Sequence, residues 1–191
     1  MKVFFFGGTF DPPHIGHELI VKKSLSICEK LILFPVRSSP DKIMQPIASS
    51  KHRLNMLKIL FDNKKIEIDD FDLKTDSINY TYLTAEYLKK KYINSEISMI
   101  IGYDQLENFK NWKNYKSILE TINIVCFRRN NKESLLDDSI FKRKINYIQE
   151  FNVNISSTEI RTQLSSNNLH LIKNSINPKL IEYIQDNNLY A

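Results

Sequence analysis

Cysteine is scarce in this 191-residue chain: only Cys28 and Cys126 occur, far apart and each among apolar neighbours. They form no CxxC pair, so the pattern is that of two buried thiols in a reducing cytoplasm. No apolar run reaches about 18 residues, so no transmembrane helix is expected. The early lysine and short apolar run lead into glycine and aspartate rather than a cleavage site, so no signal peptide is expected either. Internal repeats and low-complexity linkers are lacking, and 1–191 reads as one domain with a helical C-terminal part over about 156–191. Neither a GxGxxG fingerprint nor a GxxxxGK[ST] loop occurs, which disfavours an ordinary P-loop ATPase. Tryptophan occurs once, as Trp112.

What is present is an ordinary globular balance: 42% hydrophobic and 26% charged residues, enough for a packed core and against disorder. The formal charge of +5 fits nucleic acid or a phosphate-rich small ligand equally well. The basic residues are scattered, which gives RNA binding little support.

Short apolar strands alternate with helical periods. Strands are expected at 2–6, 31–34, 66–70, 97–101 and 122–127, with a short one at Val153 and Ile155. Helices are expected at 17–29, around Leu54, Leu57, Leu60 and Phe61, at 81–92, at 138–150 and from about Pro178. The fold class is therefore α/β, a Rossmann-like doubly wound parallel sheet with a small helical C-terminal part. In such sheets ligands bind beyond the carboxyl ends of the strands. Chemically suggestive residues fall there: residues 7–17, Gly102 with Asp104, Arg128 with Arg129, and residues 156–161.

The first of these reads GGTFDPPHIGH. Gly7 and Gly8 permit positive φ and close approach of a ligand, and Pro12 and Pro13 stiffen the loop. His14 and His17 then flank the start of a helix, whose N–H groups and dipole favour phosphate. Imidazoles there can stabilise charge that grows during phosphoryl or nucleotidyl transfer. At residues 155–161, ISSTEIR, the spacing of Ser156 and Glu159 is that of a capping box. The segment is either a plain helix cap or a second anion site with Ser157, Thr158 and Arg161.

The HxGH motif of His14-Ile15-Gly16-His17, in this longer form, resembles the bacterial nicotinate-nucleotide adenylyltransferases of the HxGH nucleotidyltransferase superfamily. ISSTEIR resembles that superfamily's ISSTxIR. Ser39-Pro40-Asp41-Lys42 is similar to its lysine loop, with Asp41 where histidine is more usual. Asn79-Tyr80-Thr81-Tyr82 is similar to its S-Y-T segment, with Leu83 where an aspartate is more usual. Residues 100–106 resemble IIGxDxL, and Trp112 stands where the family keeps a tryptophan. His52-Arg53-Leu54 resembles the helix after the lysine loop, a packing element with Arg53 on its surface.

The resemblance implies adenylyl transfer from ATP to nicotinate mononucleotide, giving nicotinate adenine dinucleotide and pyrophosphate. It implies catalytic roles for His14, His17, Lys42 and Arg161. ATP would meet Gly7, Gly8, Thr9, Phe10, Gly102, Asp104, Ser156, Ser157 and Thr158 as well. The mononucleotide would meet Thr81, Tyr82, Trp112 and Arg129, although the choice between Arg128 and Arg129 as a phosphate ligand stays open. Mg²⁺ is expected on the ATP phosphates, with no protein metal cage, and neither nucleic acid nor membrane is an expected partner. A homo-oligomer is left open. The alternatives are transfer to nicotinamide mononucleotide or phosphopantetheine, or a nucleotide-binding regulator without catalysis.

Overall fold

A computed structural model describes residues 1–38, 45–74, 79–128, 143–149, 153 and 155–191. Its strands are β1 (Lys2–Gly8), β2 (Lys30–Pro35), β3 (Ile66–Ile68), β4 (Glu96–Gly102), β5 (Asn123–Phe127) and β6 (Ile145–Ile148). They form one parallel sheet in the order β3-β2-β1-β4-β5-β6. The helices are α1 (Ile15–Leu25), α2 (Ser50–Leu60), α3 (Thr81–Lys91), α4 (Tyr103–Glu107), α5 (Tyr115–Thr121), α6 (Ser157–Ser165), α7 (Leu169–Ile172) and α8 (Pro178–Asp186).

The central strands are apolar on both faces because both are covered. Phe4, Phe6, Leu31, Leu33 and Ile100 pack with Val21 of α1 and Leu57 of α2. Val3, Phe5, Ile32, Met99 and Ile124 pack on the other face with Leu88 of α3 and Ile118 of α5. A third cluster joins Met56 of α2 to Ile160, Ile172, Leu180 and Ile184 of the C-terminal helices. The strand order reverses between β1 and β4, so their carboxyl ends, Gly8 and Gly102, flank a crevice.

Three expectations are corrected. The expected helix at 138–150 is interrupted by β6, while 138–142 and 150 lie outside the described residues. Ile145 and Tyr147 face one core cluster and Ile148 the other, a period of two that pairs well beside β5. Val153 and Ile155 are in no strand. Arg53 is not on the surface but 1% exposed. Its Nη1 donates to the carbonyls of Thr9 and Val36, both at 2.7 Å, and its Nε to that of Ala48 at 3.3 Å. Backbone acceptors from three segments solvate the buried guanidinium in place of water.

Both thiols are free and buried, and burial pushes that of Cys126 up to about 12. Among the described residues no helix is long and apolar enough to cross a membrane.

Candidate active site

The loop leaving β1 does not use its glycines for left-handed turns: no glycine has positive φ, and Phe10 does, at 49°. Packing outweighs that strain, for the Phe10 ring is fully buried, 5.5 Å from the Phe6 ring and 5.0 Å from that of His17. Phe10 therefore supports the loop from beneath and does not line the cavity above it.

His14 caps α1. Its Nδ1 accepts from Gly16 N–H at 3.2 Å, and His17 Nδ1 accepts from His14 N–H at 3.1 Å. Each histidine thus satisfies a backbone donor that the helix start leaves over. A ring nitrogen that accepts carries no proton, so Nε2 is the nitrogen of each ring left to carry one. The rings lie 3.9 Å apart. Gly16 makes this possible, since a Cβ there would come within 3.0 Å of the His14 ring.

The second helix start is tied to this loop. Ser156 caps α6, its hydroxyl accepting from Glu159 N–H at 3.1 Å. Ser157 Oγ donates to the Pro12 carbonyl at 3.0 Å, and Arg161 Nη1 to the Asp11 carbonyl at 2.6 Å. Arg161 Nη2 donates to Thr158 Oγ1 at 3.2 Å. Two N-terminal helix ends, with their dipoles, thereby open on one cavity of about 1120 Å³.

That cavity is lined by Gly7, Gly8, Thr9, His14, His17, Thr81, Gly102, Asp104, Trp112, Ser156, Ser157, Thr158 and Arg161. At Gly102 a Cβ would lie 2.5 Å from Asp104 Oδ1, so the carboxylate can fold back over the end of β4 only because a glycine is there. Tyr82 does not line the cavity; it packs against the core. Trp112 does both, with its ring 5.1 Å from Phe109 and its indole on the cavity wall. Lys42 and Arg129 lie outside the described residues. Arg128 stacks over Tyr147 at 4.2 Å and Tyr103 at 5.3 Å.

The contacts of four residues of the site and its frame escape sequence reasoning: those of Asp11, Arg53, Asn79 and Tyr190. Asn79 lines the cavity and donates from Nδ2 to Asp72 Oδ2 at 3.2 Å and Thr84 Oγ1 at 2.9 Å. Among the described residues that leaves Asn79 Oδ1 buried without a hydrogen-bond partner, as is Trp112 Nε1. Both are groups for a ligand or water to satisfy. Burial raises the Asp72 pKa, although Arg37 N–H, Asn79 and the charge of Arg53 oppose the rise.

Helix dipoles and imidazole donors gathered where strand order reverses suit the phosphates of a nucleotide, and they orient rather than attack. This is the architecture of a Rossmann-like nucleotidyltransferase. A family described as cytidylyltransferase-like matches residues 5–163. The chain is 36% identical over 197 residues to a probable nicotinate-nucleotide adenylyltransferase of Borrelia garinii subsp. bavariensis, covering 100% of this chain and 95% of that one. A Fusobacterium nucleatum protein of the same description is 37% identical, with 97% of each covered. Among solved structures, Plasmodium falciparum nicotinic acid mononucleotide adenylyltransferase complexed with NaAD superposes with a TM-score of 0.80 at 26% identity, covering 99% of this chain and 97% of that one. The chain belongs to the nicotinate-nucleotide adenylyltransferase family.

Proposed function

We propose that the protein transfers the adenylyl group of ATP to nicotinate mononucleotide, acting over 1–191 as one catalytic unit. A phosphate oxygen of the mononucleotide attacks the α-phosphorus in line. The bond from that phosphorus to the bridging oxygen breaks, and pyrophosphate leaves with the electron pair. Positioning and charge stabilisation supply the rate.

The Nε2–H groups of His14 and His17 hold the α-phosphate as its charge redistributes. Arg161, the α6 start at Ser156, Ser157 and Thr158, and Lys42 hold the departing pyrophosphate. Gly7, Gly8 and Thr9 let the nucleotide approach the end of β1. Asp104 accepts from ribose hydroxyls beside Gly102. Thr81 and Trp112 take the pyridine end, and Arg129 a phosphate.

Among the described residues no three His, Cys, Asp or Glu side chains converge as a metal site. The donor set fits Mg²⁺ arriving with ATP and held by phosphate oxygens and water. When bound it supplies charge neutralisation on the phosphates. The reaction is placed in the cytoplasm, a reading supported by the two unpaired thiols.

The observation that carries this reading is the pair of imidazoles whose Nδ1 atoms are engaged by the helix start, beside Arg161 in one cavity. The NaAD complex of the Plasmodium falciparum relative supports the choice of acceptor. The test is pyrophosphate release from ATP and Mg²⁺, comparing nicotinate and nicotinamide mononucleotides at equal concentration. Strong preference for the acid is expected. Preference for the amide would overturn the acceptor assignment, and release with neither would overturn the reaction.

A further inference from the structure

Asp11 lies three residues before His14, is 2% exposed, and faces hydrogen-bond donors from two distant segments. Its Oδ2 accepts from Ile47 N–H at 2.7 Å, and its Oδ1 from Ala48 N–H at 3.0 Å and the Tyr190 hydroxyl at 2.7 Å. Its backbone carbonyl takes Arg161, whose Nη1 is also 3.9 Å from Oδ2. One residue thus joins the histidine loop, the approach to α2, the arginine of α6 and the chain beyond α8.

The segment beyond α8 is shaped for that contact. Asn188 at φ 48° and Tyr190 at φ 65° turn the backbone through left-handed conformations that resist a β-carbon. Leu189 N–H closes on the Ile184 carbonyl at 3.0 Å. The Tyr190 ring is buried in the cluster of Met56 and Ile184 and does not line the cavity. Burial and the adjacent Asp11 carboxylate raise the phenol's pKa, so it keeps its proton and donates.

We propose that Tyr190 is a positioning residue for the transfer: its hydroxyl holds Asp11, and through Asp11 sets the spacing between the His14 helix start and Arg161. The proposal rests on the reaction given above. A tyrosine needed only for packing would need only its ring, whereas the hydrogen bond to Asp11 is made by the hydroxyl.

Tyr190→Phe keeps the ring and removes the donor. The expected result is a thermal midpoint lowered by only a few degrees, with ATP affinity by calorimetry and kcat each reduced about tenfold, the scale of one hydrogen bond to a charged group. KM for nicotinate mononucleotide stays within about twofold, since among the described residues none of Asp11's hydrogen bonds reaches Thr81 or Trp112. Ile184→Val loosens the same cluster without touching Asp11, and is expected to lower the midpoint while leaving kcat per folded molecule unchanged. Wild-type ATP affinity and kcat in Tyr190→Phe would overturn the proposal, as would equal losses in both variants. If the wild-type chain binds ATP but transfers nothing, the reaction is wrong, and the ATP affinity of Tyr190→Phe still decides whether the tyrosine positions the phosphate site.

Discussion

Each histidine of the loop serves two masters with two nitrogens. Nδ1 completes the helix start, and Nε2–H is the donor a phosphate can use. Removing one ring therefore has two separable costs. His17→Ala loses the acceptor for His14 N–H at the helix start, worth about 1 kcal/mol, read by thermal melting, and a donor to developing charge, expected to lower kcat about a hundredfold or more, read by pyrophosphate release. A folded variant with near-normal turnover would remove His17 from the mechanism. The histidines were legible in the sequence because a glycine turn, a strand and a helix start are all local signals. Asp11 was visible only as one letter of the motif, since its partners Ala48 and Tyr190 are brought to it by the fold. Arg53 was misread because arginine is usually exposed, and the three carbonyls that make burial tolerable belong to other segments.

At the scale of elements, five strands were legible because buried parallel strands are short apolar runs. The sixth, Ile-Asn-Tyr-Ile, is mixed in polarity and takes its conformation from pairing with β5. The opposite edge strand, β3, is guarded by charge. Glu67 receives Lys30 Nζ at 2.5 Å, Lys91 Nζ at 2.6 Å and the Tyr92 hydroxyl at 2.9 Å, tying β3 to the start of β2 and the end of α3. Burial alone would raise the Glu67 pKa, but these three donors outweigh it and hold the carboxyl at about 2, below its ordinary 4.5. A depressed carboxyl pKa stabilises the fold above the unfolded value and loses that contribution as pH falls through the folded value. The gap in thermal midpoint between wild type and Glu67→Gln should be full at pH 7, narrow below about 4.5 and close towards 2. A gap that is constant over this range would contradict the assignment.

For the whole molecule, Arg53 is where the two halves of the frame meet. It binds the β1 loop through Thr9, the chain after β2 through Val36 and the approach to α2 through Ala48. Arg53→Met fills much of the volume but strands those carbonyls, at about 1–3 kcal/mol for each buried acceptor left unpaired. The expected outcome is an unfolding free energy in urea reduced by about 3 kcal/mol or more, seen as a lower midpoint at an unchanged m value. A variant as stable as wild type would mean that water replaces the guanidinium.

The partners of the histidine loop come late. Pro12 is met by Ser157, Asp11 by Arg161 and then by Tyr190, at separations of 145, 150 and 179 residues. At the usual pace of a ribosome, about 10 to 35 s pass between making Asp11 and making Tyr190. Throughout that interval the nascent chain carries its histidines without the frame that aims them. The loop's contacts thus wait on Arg161 and Tyr190, and a chain stalled before Arg161 has the motif without the arginine and tyrosine that hold it.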